Sequence, residues 1–256
     1  MAKSKFAGTI WLKVAGIVLI IVAIVYCNRA YAYIYNHIEK VHLTVPNPSN
    51  TYLVVNNKTA SSSLTYVALG DSLSAGVGAD NYSESFPYLL AQYFAGNDYK
   101  VTLKNRAIPG SKTQDLFISL LPATINDNPD IVTLLVGVND IHGWVSQDQF
   151  RKNYDFILSR LTKETKAKIY IVNIPYIGAN NLILPPYNII FDYQTKQYNQ
   201  IISELAAKYS VKYIDLYTMT EDLFKHNGPH YAADFFHPSS QGYKIWADLI
   251  YADISN

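Results

Sequence analysis

The chain has 256 residues, 49% of them hydrophobic and 16% charged, which excludes a disordered protein and leaves room for one or two domains with a sizeable core. A formal net charge of +1 gives no electrostatic footprint for nucleic acid. The single cysteine, Cys27, excludes a disulfide framework and any cysteine-based metal site.

The charge is unevenly placed. Residues 1–38 hold Lys3, Lys5, Lys13 and Arg29 and no acid, and the rest of the chain holds 17 basic and 20 acidic residues. The stretch "FAGTIWLKVAGIVLIIVAIVYC", Phe6 to Cys27, is apolar apart from Thr9 and Lys13. As a helix it crosses roughly 30 Å of hydrocarbon. Three lysines precede its core and Arg29 follows it, so the positive-inside rule predicts a single-pass anchor with its N-terminus in the cytoplasm and the bulk of the protein outside. Three other readings stay open. They are a signal peptide cleaved at Ala30-Tyr31-Ala32, a buried helix of a soluble protein, and lipid attachment at Cys27, against which the bulky Tyr26 speaks.

The expected organisation is a cytoplasmic start and membrane segment over residues 1–29, an extracellular stalk over 30–63, and one folded domain over 64–256. Pro, Asn and Ser cluster in residues 40–63, with one apolar patch at Tyr52–Val55 suited to pairing with the domain's edge.

From Leu64 onward, strand and helix patterns alternate. "LTYVALG", "KVTLKNRA", "DIVTLLVGVND", "KIYIVNIP" and "VKYIDLY" read as strands, the third being the most continuously apolar. Between them, "SESFPYLLAQYFAG", "SKTQDLFISLLPATI", "VSQDQFRKNYDFILSRLTKET" and "FDYQTKQYNQIISELAAKYS" have helical spacing, and "SSQGYKIWADLIYADI" closes the chain as a helix. Ser111 or Thr113 would cap the second of these. The alternation predicts an α/β fold: a flavodoxin-like three-layer sandwich around five mostly parallel strands. The 22 tyrosines read as amphipathic surface residues.

Ligands bind such sheets beyond the carboxyl ends of the strands. Ser72 follows the first strand, Ala107–Gly110 the second and Gly137–Asp140 the third. A serine hydroxyl needs a neighbouring base to act as a nucleophile. "DFFHPSSQGY" supplies one: Asp234 and His237, three apart, can face the same side, so that the carboxylate holds one ring nitrogen and the other takes the serine proton. The Ser72 N–H, the Gly110 N–H and the Asn139 amide are the candidate oxyanion donors. Each segment alone is an ordinary turn or helix entry; what argues for chemistry is that all fall at one rim. Asp71, Asp140 and Asn105 read as loop-orienting residues. His142, His226 and His230 read as exposed loop residues with no metal-binding spacing. "ILPPYNIIFDY", residues 183–193, is either one wall of an acyl cleft or ordinary packing.

"GDSLSAG" with Ser72, "NRAIPGS" with Gly110, "GVND" with Asn139 and "DFFH" with Asp234 and His237 together resemble the four blocks of the GDSL, or SGNH, hydrolases, over roughly residues 64–256. In anchor and length the chain is similar to exported lipase/acylhydrolase-like proteins of Gram-positive bacteria. The resemblance implies the SGNH hydrolase fold and a Ser-His-Asp carboxylic ester hydrolase with no metal or other cofactor. It also implies an ester substrate: a small molecule, a lipid or an acylated glycan. Two alternatives use the same residues: an O-acyltransferase on a cell-wall polymer, and a catalytically silent binding module for acylated glycans. Nothing in the sequence fixes the oligomeric state.

Overall fold

The apolar, β-branched runs form the middle of a six-stranded sheet. The computed structural model describes residues 2–44, 50–55, 60, 62–96 and 99–255, with side chains from residue 11 onward. The side chains of Lys3 and Lys5 and the linker residues 45–49, 56–59 and 61 lie outside the described residues.

Helix α1 (Ala2–Val41) precedes strands β1 (Thr51–Val55) and β2 (Ser62–Gly70). Helices α2 (Ser72–Ala75) and α3 (Phe86–Ala95) lead to β3 (Tyr99–Asn105). Then α4 (Thr113–Asp115) runs through a π-helical turn at Leu116–Leu120 into α5 (Leu121–Asn126) and β4 (Ile131–Leu135). After α6 (Val138–His142) and α7 (Gln147–Glu164) come β5 (Lys168–Val172), α8 (Tyr187–Tyr209) and β6 (Lys212–Ile214), and the chain ends through α9 (Leu216–Phe224) and α10 (Ser240–Ser255).

The strand order is β1-β3-β2-β4-β5-β6, all parallel except β1. Strand β4 is buried at every residue because β2 and β5 flank it and helices cover both its faces. From β2 the chain crosses to β3 on one side, and from β4 to β5 on the other. Right-handed crossovers running in opposite directions put α3 and α7 on opposite faces of the sheet. The reversal leaves a crevice at the carboxyl ends of β2 and β4, the place such sheets bind ligands.

Five strands were expected; the sixth is β1, from the apolar patch at Tyr52–Val55. It pairs antiparallel with β3, Val54 opposite Val101, burying Val54 and leaving Leu53 outside. Helix α1 also continues past residue 29. Ala30 and Ile34 are buried against the domain, and Cys27, Tyr31, Tyr35, Ile38 and Val41 are half-buried on the same stripe. Part of the segment read as a stalk is therefore built into the folded body. The other half of α1 differs: within Trp11–Val41 lies an apolar, unburied stretch long enough to cross a membrane.

Three boundaries moved for local reasons. "VKYIDLY" stops being a strand at Ile214 because the Asp215 carboxylate accepts the Thr218 N–H and starts α9, an element without an expectation. The residue that caps α4 is Lys112, whose N–H donates to the Asp115 carboxylate, and not Ser111 or Thr113. Many tyrosines are interior rather than surface residues; Tyr66, Tyr154, Tyr198 and Tyr243 are among the largest fully buried side chains. A ring with a polar tip suits an interior when the hydroxyl finds a partner, as Tyr66 does on Thr133 at 2.8 Å.

Candidate active site

Ser72 opens α2 directly after the buried end of β2. The Asp71 carboxylate caps that turn by accepting the Leu73 N–H at 3.0 Å. Asp71 is fully buried, and burial raises its pKa to about 7 against the opposing pull of backbone N–H groups, that of Leu73 first. Just beyond, Gly78 (φ 98°) lets the chain pass the far loop: a Cβ there would lie 2.3 Å from the Pro238 carbonyl.

That far loop carries Asp234 and His237. Phe235 takes a left-handed conformation (φ 56°), uncommon for a bulky residue, and this turns the chain so that Asp234 and His237 share a side. One Asp234 oxygen accepts the N–H groups of Phe236 and His237, each at 3.0 Å; the other faces His237 Nδ1 at 2.6 Å. Burial alone would raise the Asp234 pKa, but the imidazole and the two N–H groups outweigh it and hold the carboxyl below its usual range. With Nδ1–H donating to Asp234, Nε2 is left as an acceptor, and it stands 3.0 Å from Ser72 Oγ. Residues 165 positions apart in the chain thus form one hydrogen-bonded line.

The other two segments face the same opening. Ser72, His237, Gly110 and Asn139 all border a cleft of about 290 Å³. Gly110 has φ 83° and only empty space where a Cβ would project, so its backbone is open to close approach. Asn139 donates one amide hydrogen to the Ser111 carbonyl at 3.1 Å, which orients the amide and leaves a second hydrogen.

Supporting residues lie behind this layer. Asp140 accepts from the Thr113 N–H at 2.9 Å and the Thr113 hydroxyl at 2.5 Å, tying the Gly110 loop to α6, and its pKa is raised to about 6 by burial. Asn153 donates to the same hydroxyl at 2.9 Å. Asn105 bridges the Ser74 carbonyl and the Tyr82 hydroxyl and accepts the Ala107 N–H, so it fixes both the Ser72 turn and the start of the Gly110 loop. Asp71, Asp140 and Asn105 have the orienting positions expected of them. The contributions of Thr113 and Asn153 carry no local sequence signal.

Combinations of the four segments in this order on such a sheet are distinctive, and the model of the GDSL-like lipase/acylhydrolase family matches residues 68–245. The chain belongs to that family. It is similar in fold to a lipase/acylhydrolase from Enterococcus faecalis, with a TM-score of 0.62 and 22% identity over 75% of this chain and 95% of that one. It is likewise similar to an acetylxylan esterase from Geobacillus stearothermophilus, with a TM-score of 0.59 and 18% identity over 77% and 96%. A Streptomyces rimosus lipase is 35% identical over 85 residues, 29% of this chain. The matched stretches span only 13% and 30% of the lengths of the two curated relatives, the first an uncharacterized Mycoplasma pneumoniae protein.

Other expectations for this GDSL-family chain turn out differently. His230 is buried, against Phe224 and Tyr231, rather than exposed, with Nε2 3.0 Å from the His226 carbonyl. His142 is tucked beneath α1, where burial lowers its pKa to about 4. His226 is exposed as expected. The 183–193 segment does not line the cleft. Ile183 and Phe191 are packed inside, and the Tyr187 ring lies 5.2 Å from that of Tyr31 on α1. Residues of α1 take the place at the cleft that sequence reasoning offered to this segment. Among the described residues, no group of three or more His, Cys, Asp or Glu is placed to hold a metal ion.

Proposed function

We propose that this GDSL-family hydrolase is a membrane-anchored serine esterase whose catalytic domain lies outside the cytoplasm. The observation that carries the reading is the line Asp234–His237–Ser72, with contacts of 2.6 and 3.0 Å, at the mouth of the cleft.

Ser72 Oγ attacks the ester carbonyl carbon as His237 Nε2 takes the hydroxyl proton. Asp234 keeps Nδ1 protonated and stabilises the imidazolium. The carbonyl oxygen, now negative, accepts from the Ser72 N–H, the Gly110 N–H and the Asn139 amide, which are in place before the charge develops. The intermediate collapses, the carbon–oxygen bond to the leaving alcohol breaks, and His237 returns the proton to that alcohol. Water then adds to the acyl-enzyme with His237 as base and releases the acid and Ser72. The apolar stretch of α1, three lysines before its core and Arg29 after it support the anchor and its orientation.

Ser72→Ala is expected to lower hydrolysis of p-nitrophenyl acetate and butyrate by about 10⁶-fold while leaving the melting temperature within a few degrees. Full activity in that variant would refute the assignment. Product analysis with an added acceptor alcohol separates hydrolysis from acyl transfer.

A further inference from the structure

The membrane helix does not merely tether the domain; its far end reaches the cleft. Tyr35 and Ile38 of α1, with Leu43 just after it, border the opening opposite Val77, Pro109 and Phe236. The contact is specific. The Tyr35 hydroxyl lies 3.2 Å from His142 Nδ1, within reach of a donated hydrogen bond, since burial keeps that imidazole neutral. His37 stacks on Phe235, the left-handed residue between Asp234 and His237, with ring centroids 5.4 Å apart. Ile34 is fully buried in the domain's core.

Height follows from the helix. Cys27 ends the apolar stretch, and at 1.5 Å per residue Tyr35 stands about 12 Å and Ile38 about 16 Å beyond it, just outside the headgroup layer. Tyr31 stands only about 6 Å beyond Cys27. Beside it are Tyr187 and Trp144, whose indole nitrogen lies 3.4 Å from the Tyr31 hydroxyl; Trp144 is 53% exposed and Ile189, in the first turn of α8, 68% exposed. Amphipathic rings at this level suit the interface between membrane and water.

We propose that Tyr35, Ile38 and Leu43 form the acyl-binding wall of the Ser72 cleft, and that the substrate is an acyl ester of a membrane amphiphile drawn from the leaflet where α1 emerges. This rests on the esterase reading above. Six apolar or aromatic side chains line the opening, and half come from the anchor's end, so the same helix that sets the height of the cleft also shapes it.

The test uses the full chain, in detergent micelles with p-nitrophenyl butyrate and decanoate, and in phosphatidylcholine vesicles with fatty-acid release followed by mass spectrometry. Ile38→Trp and, independently, Leu43→Trp are expected to lower the decanoate-to-butyrate ratio of kcat/KM by about tenfold, the scale on which a pocket reads chain length. Seven polar, helix-forming residues inserted between Tyr26 and Cys27 raise the domain by about 10 Å and nearly preserve the helical phase. That variant is expected to lose hydrolysis in vesicles while hydrolysing butyrate in micelles. A ratio unmoved in both tryptophan variants overturns the wall. Undiminished vesicle hydrolysis after the insertion, or none by the native chain, overturns the membrane source. Failure of a fluorophosphonate to label Ser72 in the native chain sinks the esterase reading itself, an outcome distinct from these.

Discussion

The middle of the sheet and its carboxyl rim are built on opposite principles. Strand β4 is fully buried and apolar apart from Thr133, whose hydroxyl meets that of Tyr66, and at its apolar positions any side chain of the right size and hydrophobicity would serve. The rim beside it holds buried carboxylates at Asp71, Asp140 and Asp234 and a left-handed Phe235. Such groups cost stability, because a buried charge must be paired and a left-handed bulky residue is strained. They persist where the surroundings dictate them, and the strong apolar sheet beneath offsets that cost. The comparison teaches that, in this fold, stability and chemistry are assigned to adjacent but separate layers.

The contrast can be broken by substitution. After Ser72→Ala, the largest effect expected is that of Asp234→Asn, a loss of about 10⁴-fold in kcat with little change in KM, because the amide favours the wrong imidazole tautomer. Asn139→Ala is expected to cost about 10²- to 10³-fold in kcat, as removal of one oxyanion donor does; a loss in KM alone would remove Asn139 from that role. Neither rim variant is expected to lower the melting temperature as Leu134→Ala does. That change in the middle of β4 should destabilise by about 2–5 kcal/mol in a denaturant titration, while the specific activity of the molecules that remain folded stays near native. A core variant that kept its stability but lost kcat would erase the distinction between layers.

The smallest expected effect sharpens the same contrast through pH. The folded-state pKa of Asp71 is raised from 3.8 to about 7, so between these values the folded chain binds more protons than the unfolded one. Its contribution to stability is present at low pH, is lost as pH rises through that window, and is constant above it. Asp71→Asn removes the titration. The drop in melting temperature from pH 5 to pH 7.5 should therefore be about 5 °C smaller in the variant than in the native chain. An identical drop would mean that Asp71 does not titrate in this range.

Much of this was legible in order along the chain. Strand–helix alternation sufficed for the five parallel strands, because burial on both faces writes a nearly continuous apolar run such as Ile131–Leu135. The Ser72, Gly110, Asn139 and Asp234–His237 segments stood out by their coincidence, since each alone is an ordinary turn or helix entry. The apolar patch at Tyr52–Val55 was visible, but its promotion to a sixth strand depended on β3 presenting a free edge. The buried state of His142, and the roles of Thr113 and Asn153, were invisible, since each is set by residues distant in the chain; His230 is buried against its near neighbours Phe224 and Tyr231, in a loop whose path no periodic pattern marks.

Taken alone, the sequence determined the α/β class, the apolar N-terminal stretch and the four segments with chemistry to offer, because these follow from periodicity and from side-chain type within a few neighbouring residues. Only the tertiary structure decided that Ser72 and His237 stand 3.0 Å apart, and that the end of α1 lies at their cleft. Those are distances between segments more than thirty residues apart, 165 in the case of Ser72 and His237, and no local pattern encodes them; they are fixed by the direction of each crossover and by the packing of α1 along the sheet's carboxyl rim.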